Sequence, residues 1–478
     1  MAQVGMVGLA VMGSNLALNL ESKGYAVAAY SISREETQKF MDLYGEGRKL
    51  EPAFSLEELI EKIEKPRVII MMIRAGSPVD EMIDKFIPLL EEGDVLIDGG
   101  NSNFHETRRR CAKMAEHGLM FVGMGVSGGE EGALHGPSLM PGGDPKAWEN
   151  AGHLLQAIAA KAADGQPCCN YVGPDGAGHF TKTVHNGIEY GDMQLICEAY
   201  HMLRDASGLN YDQMSDVFAG WNQGMLGCYL NSITTDILKF KEDGAPLVPR
   251  ILDVAGQKGT GKWTVIEALN VGVPSTVVGE ALFARFMSGH KERRVAASKV
   301  FDGPAAEALP ENFTETMGKA LLAAKIILYS QGMTVLQEAS KEYNWNLSLS
   351  RIARLWRGGC IIRSNMLNDI AAAFEAEDAP EALMLAPKFA AVLNENIASL
   401  REVVVTGVKL GIPLPAMSSA LAYFDSVRCA KLPAGLLQAQ RDYFGAHGYV
   451  LEDKQADGFR HTNWTGRGGD ISSGIYNN

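Results

Sequence analysis

The sequence predicts an α/β N-terminal domain built on a doubly wound parallel sheet, followed by a large all-α domain and a C-terminal tail. Three observations carry this prediction. Over the first third of the 478 residues, short apolar runs alternate with helical patterns, the rhythm of strands linked by crossover helices. Around residues 174–178 the period turns helical and stays so to about residue 430. After QAQRDYFGAHGY comes a Gly-, Asp- and Asn-rich stretch, TNWTGRGGDISSGIYNN, with little capacity to form a core of its own. These changes set domain boundaries at 1–177, 178–433 and 434–478.

Taken in order, candidate strands lie at 4–7, 27–30, 68–73, 95–97 and 120–123, with helical stretches at 14–22, 35–44, 56–61 and 78–89 between them. Within the helical region a weak internal echo suggests a duplicated unit. YGDMQLICEAYHML, then WNQG, resembles YSQGMTVLQEASKEY, then WRGG, at a shift of 140 residues from Glu198 to Glu338.

The totals bound the function. Hydrophobic content of 46% and charged content of 21% describe a soluble globular chain, long enough for two to four domains. The formal charge is 44 − 57 = −13, which argues against a nucleic-acid binder, so an anionic ligand needs a local basic cluster. Seven scattered cysteines without metal spacing point to reduced thiols in the cytoplasm. The apolar N-terminus lacks a basic flank and is broken by glycines, and no unbroken apolar run reaches the ~18 residues of a membrane span.

VGMVGLAVMGSNLALNL places Gly8-x-Ala10-x-x-Gly13 after a strand and at the opening of a helix. That is the dinucleotide-binding turn of a Rossmann-type fold, in which Gly8 bends the chain and Ala10 lets backbone approach a pyrophosphate. Gly13 allows close helix–strand packing, and the first helical residues, Val11 and Met12, offer N–H groups to the anion. The second strand ends in Tyr30, Ser31, Ile32, Ser33 and Arg34, with no carboxylate at the position that would bind a ribose diol. Ser33 and Arg34 are suited to a 2′-phosphate, which favours NADP. Two further loops, MMIRAG with Arg74 and Ala75, and DGGNSN with Asn101, follow strands at the same sheet edge. A third, with Ser127, Gly128 and Gly129, offers N–H groups and a hydroxyl to a carboxylate or a nicotinamide.

In HFTKTVHNGIEYGDMQLICEAY, Lys182, His185, Asn186 and Glu189 fall at i, i+3, i+4 and i+7 and share one helix face. An amine able to lose its proton, an imidazole, an amide and a carboxyl then stand in one row. A solvated Lys/Glu face is the ordinary reading of such a row. Against it stand Gly178, Gly187 and Gly191, each costing about 1 kcal/mol in a helix relative to Ala, which implies close approach to the helix. KGTGK, with Lys258, Thr260 and Lys262, reads as an anion-binding loop.

GLAVMG, DGGN, GVSGGEEGA, HNGIEYGDMQLI, QKGTGKWT and QAQRDYFGAH, in this order over nearly the whole chain, together resemble the 6-phosphogluconate dehydrogenase (decarboxylating) family. The resemblance implies oxidation of 6-phosphogluconate at C3 by NADP, loss of CO2 and tautomerisation to ribulose 5-phosphate, without a metal. It gives Lys182 the part of general base and Glu189 that of the acid protonating C1 of the enediol. Asn101, Ser127, Gly128, Gly129, His185 and Asn186 match substrate-binding positions, and Tyr190, Lys258, Thr260, Arg285, Arg441 and His447 the phosphate clamp. It also implies a homodimer in which Arg441 and His447 reach the neighbouring site. The sequence departs from the family where an Arg usually stands after the second strand and Ile32 is found instead. Arg34 then substitutes for it, or NAD is tolerated beside NADP. A smaller β-hydroxyacid dehydrogenase would share the turn and the SGG loop but would need neither Glu189 nor a clamp. A binding protein on an inactive dehydrogenase fold would have lost Lys182 and Glu189.

Overall fold

Seven strands form one sheet: β1 (Val4–Val7), β2 (Val27–Tyr30), β3 (Leu50–Ala53), β4 (Val68–Met71), β5 (Val95–Asp98), β6 (Met120–Ser127) and β7 (Ser138–Gly143). Their order is β3-β2-β1-β4-β5-β6-β7. β1 to β6 pair in parallel, with Val4 opposite Val27 and Gly5 opposite Ile69. β7 runs antiparallel to β6, with Ser127 opposite Ser138, so the expected parallel sheet carries one antiparallel edge. Strands buried on both faces read as continuous apolar runs, which made β1, β2, β4 and β5 legible. Two strands escaped that reading. β3 is LEPA, with a half-buried Glu and Pro in four residues, and Pro141, Gly142 and Gly143 disguise β7 as loop.

Seven helices flank the sheet: α1 (Val11–Ser22), α2 (Arg34–Tyr44), α3 (Leu56–Lys62), α4 (Ser77–Phe86), α5 (Phe104–Ala115), α6 (Gly129–His135) and α7 (Pro145–Ile158). Val4, Met6, Leu16 and Leu20 belong to the core on one face. Val7, Ile69, Met71, Ile83 and Phe86 belong to the other.

The computed structural model describes residues 1–257, 259–305, 309–310 and 312–467, in two units, Met1–Leu421 and Ala422–Asn478. In the first unit, beyond the sheet, come α8 (Ala177–Ala206), α9 (Tyr211–Trp221), α10 (Tyr229–Lys239), α11 (Thr260–Asn270), α12 (Thr276–Gly289) and α13 (Lys291–Ala297). Then follow α14 (Phe313–Glu342), α15 (Leu349–Leu355), α16 (Met366–Ala373) and α17 (Pro387–Leu410), and α18 (Pro415–Val427) runs across the division at Leu421. A two-residue hairpin, Lys241–Glu242 with Ala245–Pro246, interrupts the otherwise helical region. α8 and α14 each span 30 residues, about 45 Å, and α14 packs on both α8 and α17. The two halves of the internal echo fall on them, with Glu198 in α8 and Glu338 in α14. α14 has the length and apolarity to cross a bilayer, yet 83% of its most apolar window is buried inside the unit. It is a core helix.

In the second unit α19 (Ala434–Gly445) precedes the tail. The tail is held by polar bonds to one fully buried carboxylate. Asp442 accepts from Gly448 N at 2.9 Å, Thr462 N at 3.0 Å, Trp464 Nε1 at 2.8 Å and His461 Nδ1 at 2.9 Å. Burial pushes this carboxyl up, but the donors outweigh it and hold it at about 2.

Candidate active site

The sheet order reverses between β1 and β4, the switch point at which open α/β sheets bind ligands beyond their carboxyl ends. Gly8 follows β1 at φ +92°, and a Cβ there would lie 2.5 Å from Met72 O. A Cβ on Gly13 would lie 1.8 Å from Gly8 O, so only glycine lets helix and turn approach this closely. Ala10 is the N-cap of α1, which has no side-chain cap and no acidic residue in its first turn. Val11 and Met12 therefore begin a helix whose N–H groups are left for an anion, and these residues fit a dinucleotide pyrophosphate.

Arg74 and Ala75 follow β4, and Asn101 follows β5, at the same edge. A network unseen in the sequence fixes both loops. Asp98 accepts from Gly100 N at 3.0 Å and from Ser102 Oγ at 2.6 Å. Fully buried Arg110 stands 3.7 Å from Asp98 and donates to Asp80 and to Gly76 O at 2.9 Å. Arg110 also meets Glu106 one turn back at 3.1 Å, but Asp98, Asp80 and Gly76 lie 12, 30 and 34 residues away and give no local signal.

The predicted stripe on α8 lies against β6. Lys182, His185 and Asn186 are buried, and the Glu189 side chain is 22% exposed. His185 is the hub. Its Nε2 is 3.2 Å from Ser127 Oγ, and its Nδ1 is 3.4 Å from Lys182 Nζ and 3.1 Å from Asn186 Oδ1. Glu189 Oε2 lies 3.8 Å from the same Nδ1. Burial pushes Lys182 down to about 8, against the opposing pull of Glu189 and Cys360. His185 is held well below its usual range by burial and by the Lys182 charge beside it, so it is neutral at pH 7. The arrangement is a buried amine that exchanges a proton near neutral pH, an imidazole able to relay it and a carboxyl one turn away.

The glycines around this stripe are explained by the fold and not by a ligand. A Cβ on Gly178 would meet Gly123 O at 2.2 Å, on Gly187 Thr264 at 2.4 Å, and on Gly191 Leu328 at 2.4 Å. What approaches α8 closely is β6, α11 and α14. Gly125 bears on the chemistry directly, because its Cβ would lie 2.3 Å from Lys182 Cβ. Gly125→Ala is expected to displace the amine and lower kcat about 10²-fold. The check is kcat against nucleotide affinity, which should stay unchanged.

A second cluster stands further along α8. Gly259 caps α11 in the left-handed conformation, and Thr260 opens the helix without an acidic residue in its first turn. Thr264 Oγ1 donates to Thr183 O at 2.7 Å and ties α11 to α8. The Arg285 guanidinium lies 3.6 Å from the Tyr190 ring centroid, and a Cβ on Gly261 would touch that ring at 2.5 Å. Tyr190, Thr260 and Arg285 thus frame an uncapped helix N-terminus, an arrangement suited to a phosphate. Lys258 lies outside the described residues. Arg441 and His447 belong to the second unit, where Arg441 Nη1 donates to Gln438 Oε1 at 2.9 Å and the His447 ring packs edge-on against Phe444.

Gly128 and Gly129 open α6. A Cβ on Gly128 would meet Gly359 O at 2.6 Å, so the 358–360 loop backs the SGG turn. Nothing in the spacing of Gly359 pointed to that contact.

The comparisons agree with this geometry. Residues 3–173 match the NAD binding domain of 6-phosphogluconate dehydrogenase, and residues 178–464 match the 6-phosphogluconate dehydrogenase C-terminal domain. The chain is 49% identical over 480 residues to 6-phosphogluconate dehydrogenase, decarboxylating, of Rattus norvegicus, covering 100% of this chain and 99% of the relative. It is 51% identical to that of Caenorhabditis elegans over 484 residues, covering 100% and 99%. Plasmodium falciparum 6-phosphogluconate dehydrogenase, solved in its apo form and with NADP+ or 6-phosphogluconate, superposes with a TM-score of 0.94 at 42% identity, over 97% of this chain and 100% of that one. Two family models spanning both halves, and relatives at half identity over full length, leave one conclusion: this chain belongs to the 6-phosphogluconate dehydrogenase (decarboxylating) family.

Proposed function

We propose that the protein oxidises and decarboxylates 6-phosphogluconate to ribulose 5-phosphate and CO2, using NADP. The observation that carries this reading is the buried Lys182, pushed down to about 8 and set beside His185 and Asn186. NADP, when bound on the Gly8–Gly13 turn, supplies the hydride acceptor. Lys182 in its neutral form takes the proton of the C3 hydroxyl. As the ammonium it returns that proton to the C3 oxygen while CO2 leaves. Glu189 then protonates C1 of the enediol while Lys182, neutral again, takes back the proton of the adjacent enol hydroxyl, and Ser127, Gly128, Gly129, Asn101, His185 and Asn186 orient the sugar acid. The uncapped start of α11, with Tyr190, Thr260 and Arg285, receives the phosphate. The test is formation of NADPH and CO2 from 6-phosphogluconate in equal amounts; a protein that turns over only unphosphorylated β-hydroxyacids would reject the reading.

The active form is a homodimer in which Arg441 and His447 complete the phosphate clamp of the neighbouring subunit. Exposed Leu436, Tyr443 and Phe444 on α19 support an interface there. Arg441→Ala is expected to raise KM for 6-phosphogluconate by about tenfold to a hundredfold, with kcat within about twofold; an unchanged KM would reject the clamp. Seven cysteines without a disulfide support a reducing cytoplasm, where the reaction serves the pentose phosphate pathway and gluconate use.

A further inference from the structure

We infer that Glu36 sets the cofactor choice of this chain, weakening the 2′-phosphorylated nucleotide so that NAD works beside NADP. The inference rests on the dehydrogenase reading above and concerns the adenosine end of the same site. In a doubly wound fold that ribose lies beyond the second strand, roughly twenty residues past the glycine turn. A carboxylate there takes the 2′-hydroxyl, and an arginine takes a 2′-phosphate.

The expected phosphate ligands are engaged elsewhere. Ser31, buried just after β2, donates its hydroxyl to Glu36 Oε2 at 2.5 Å, and its backbone N–H donates to Thr37 Oγ1 at 2.9 Å. Ser33 Oγ accepts from Glu36 N at 3.3 Å as the α2 cap and donates to Glu35 Oε2 at 3.0 Å. The hydroxyl of Ser33, which the sequence offered to a phosphate, and that of Ser31 are therefore both given to carboxylates. The Arg34 guanidinium lies over the Phe54 ring, 4.6 Å from its centroid. Ile32 is 77% exposed and brings no charge. One cation and two carboxylates leave residues 31–36 at +1 − 2 = −1, facing a group that carries ≈ −1.5 to −2 at pH 7.

A purely structural part for Glu36 is the alternative, because an acid in the first turn of α2 also favours the helix dipole. That part would affect every nucleotide equally, whereas a charge filter changes only the ratio. The test is fluorescence titration of the full chain with NADPH and with NADH. The wild type should bind the two within about tenfold. Glu36→Gln should shift the Kd ratio about fivefold to tenfold towards NADPH, the scale of one like charge near a protein surface. Ile32→Arg should shift it further the same way. Ser31→Ala, which removes the hydrogen bond and keeps the carboxylate, should leave the ratio within about twofold. Equal effects of Glu36→Gln on both nucleotides, or none on either, would overturn the inference. Normal titrations with no oxidation of 6-phosphogluconate would instead reject the dehydrogenase reading and leave the nucleotide ratio as a separate result.

Discussion

Lys182→Met is expected to lower kcat for 6-phosphogluconate by roughly 10²- to 10⁴-fold, the range for loss of a positioned proton-transfer group, with NADPH affinity unchanged. The same substitution should make the protein more stable. Unfolded, this lysine keeps its proton to about 10.5; folded, burial lowers that to about 8. Between the two values the folded state binds fewer protons than the unfolded one, so stability rises with pH across that window. Below about 8 the amine is charged in both states and the penalty is present in full, on the order of 3 kcal/mol. Thermal melts at pH 7 should therefore place Lys182→Met above the wild type, with the gap closing as pH approaches 10.5. Turnover follows the same proton: kcat/KM should rise with pH through about 8 in the wild type, because only the neutral amine accepts the C3 hydroxyl proton. A variant that lost activity but melted lower at pH 7 would mean that Lys182 is a structural group and not a strained base.

What the sequence made legible, and what it hid, divides along the range of the interactions. The glycine turn is local: Gly8, Ala10 and Gly13 act within six residues, so their spacing alone carried the geometry. The polar stripe on α8 is local in the same way, since helical periodicity aligns Lys182 with His185, Asn186 and Glu189 without any tertiary information. Gly125 seats Lys182 from 57 residues away, and Arg110 joins two loops through Asp98 and Asp80. Such pairings depend on strand order, which periodicity does not contain. The glycines on α8 signalled close approach, and the structure supplies the neighbours that the sequence left unnamed. They are Gly123, Thr264 and Leu328, on elements far from α8 in sequence. β7 was missed because Pro and Gly punctuate it, and it is an edge strand where both are tolerated. Ser33 and Arg34 suited a phosphate by residue type, while the carboxylate that takes the Ser33 hydroxyl comes from the following helix.

Asp192→Leu is expected to cost about 3–5 kcal/mol of stability, because it strands a buried ammonium. Lys325 of α14 meets Asp192 of α8 at 2.7 Å, with side chains 3% and 2% exposed. Burial pushes Lys325 down, yet Asp192 and Cys228 raise it more, so it stays charged above the usual lysine range. Cys228 Sγ accepts a further hydrogen bond from the same ammonium at 3.2 Å. A Lys with a raised folded pKa contributes stability throughout the range below its unfolded value, so the pair acts fully at neutral pH. Lys325→Met should be as damaging, since it leaves the carboxylate alone between two apolar helices. The double variant Asp192→Leu with Lys325→Met should recover most of the loss, because a buried pair exchanged for apolar groups of similar volume is often neutral. Urea denaturation of the four proteins checks this through the coupling energy. Additive losses would show that the two residues act independently, and that packing between the two 30-residue helices, not the ion pair, fixes how α8 presents Lys182 and Glu189.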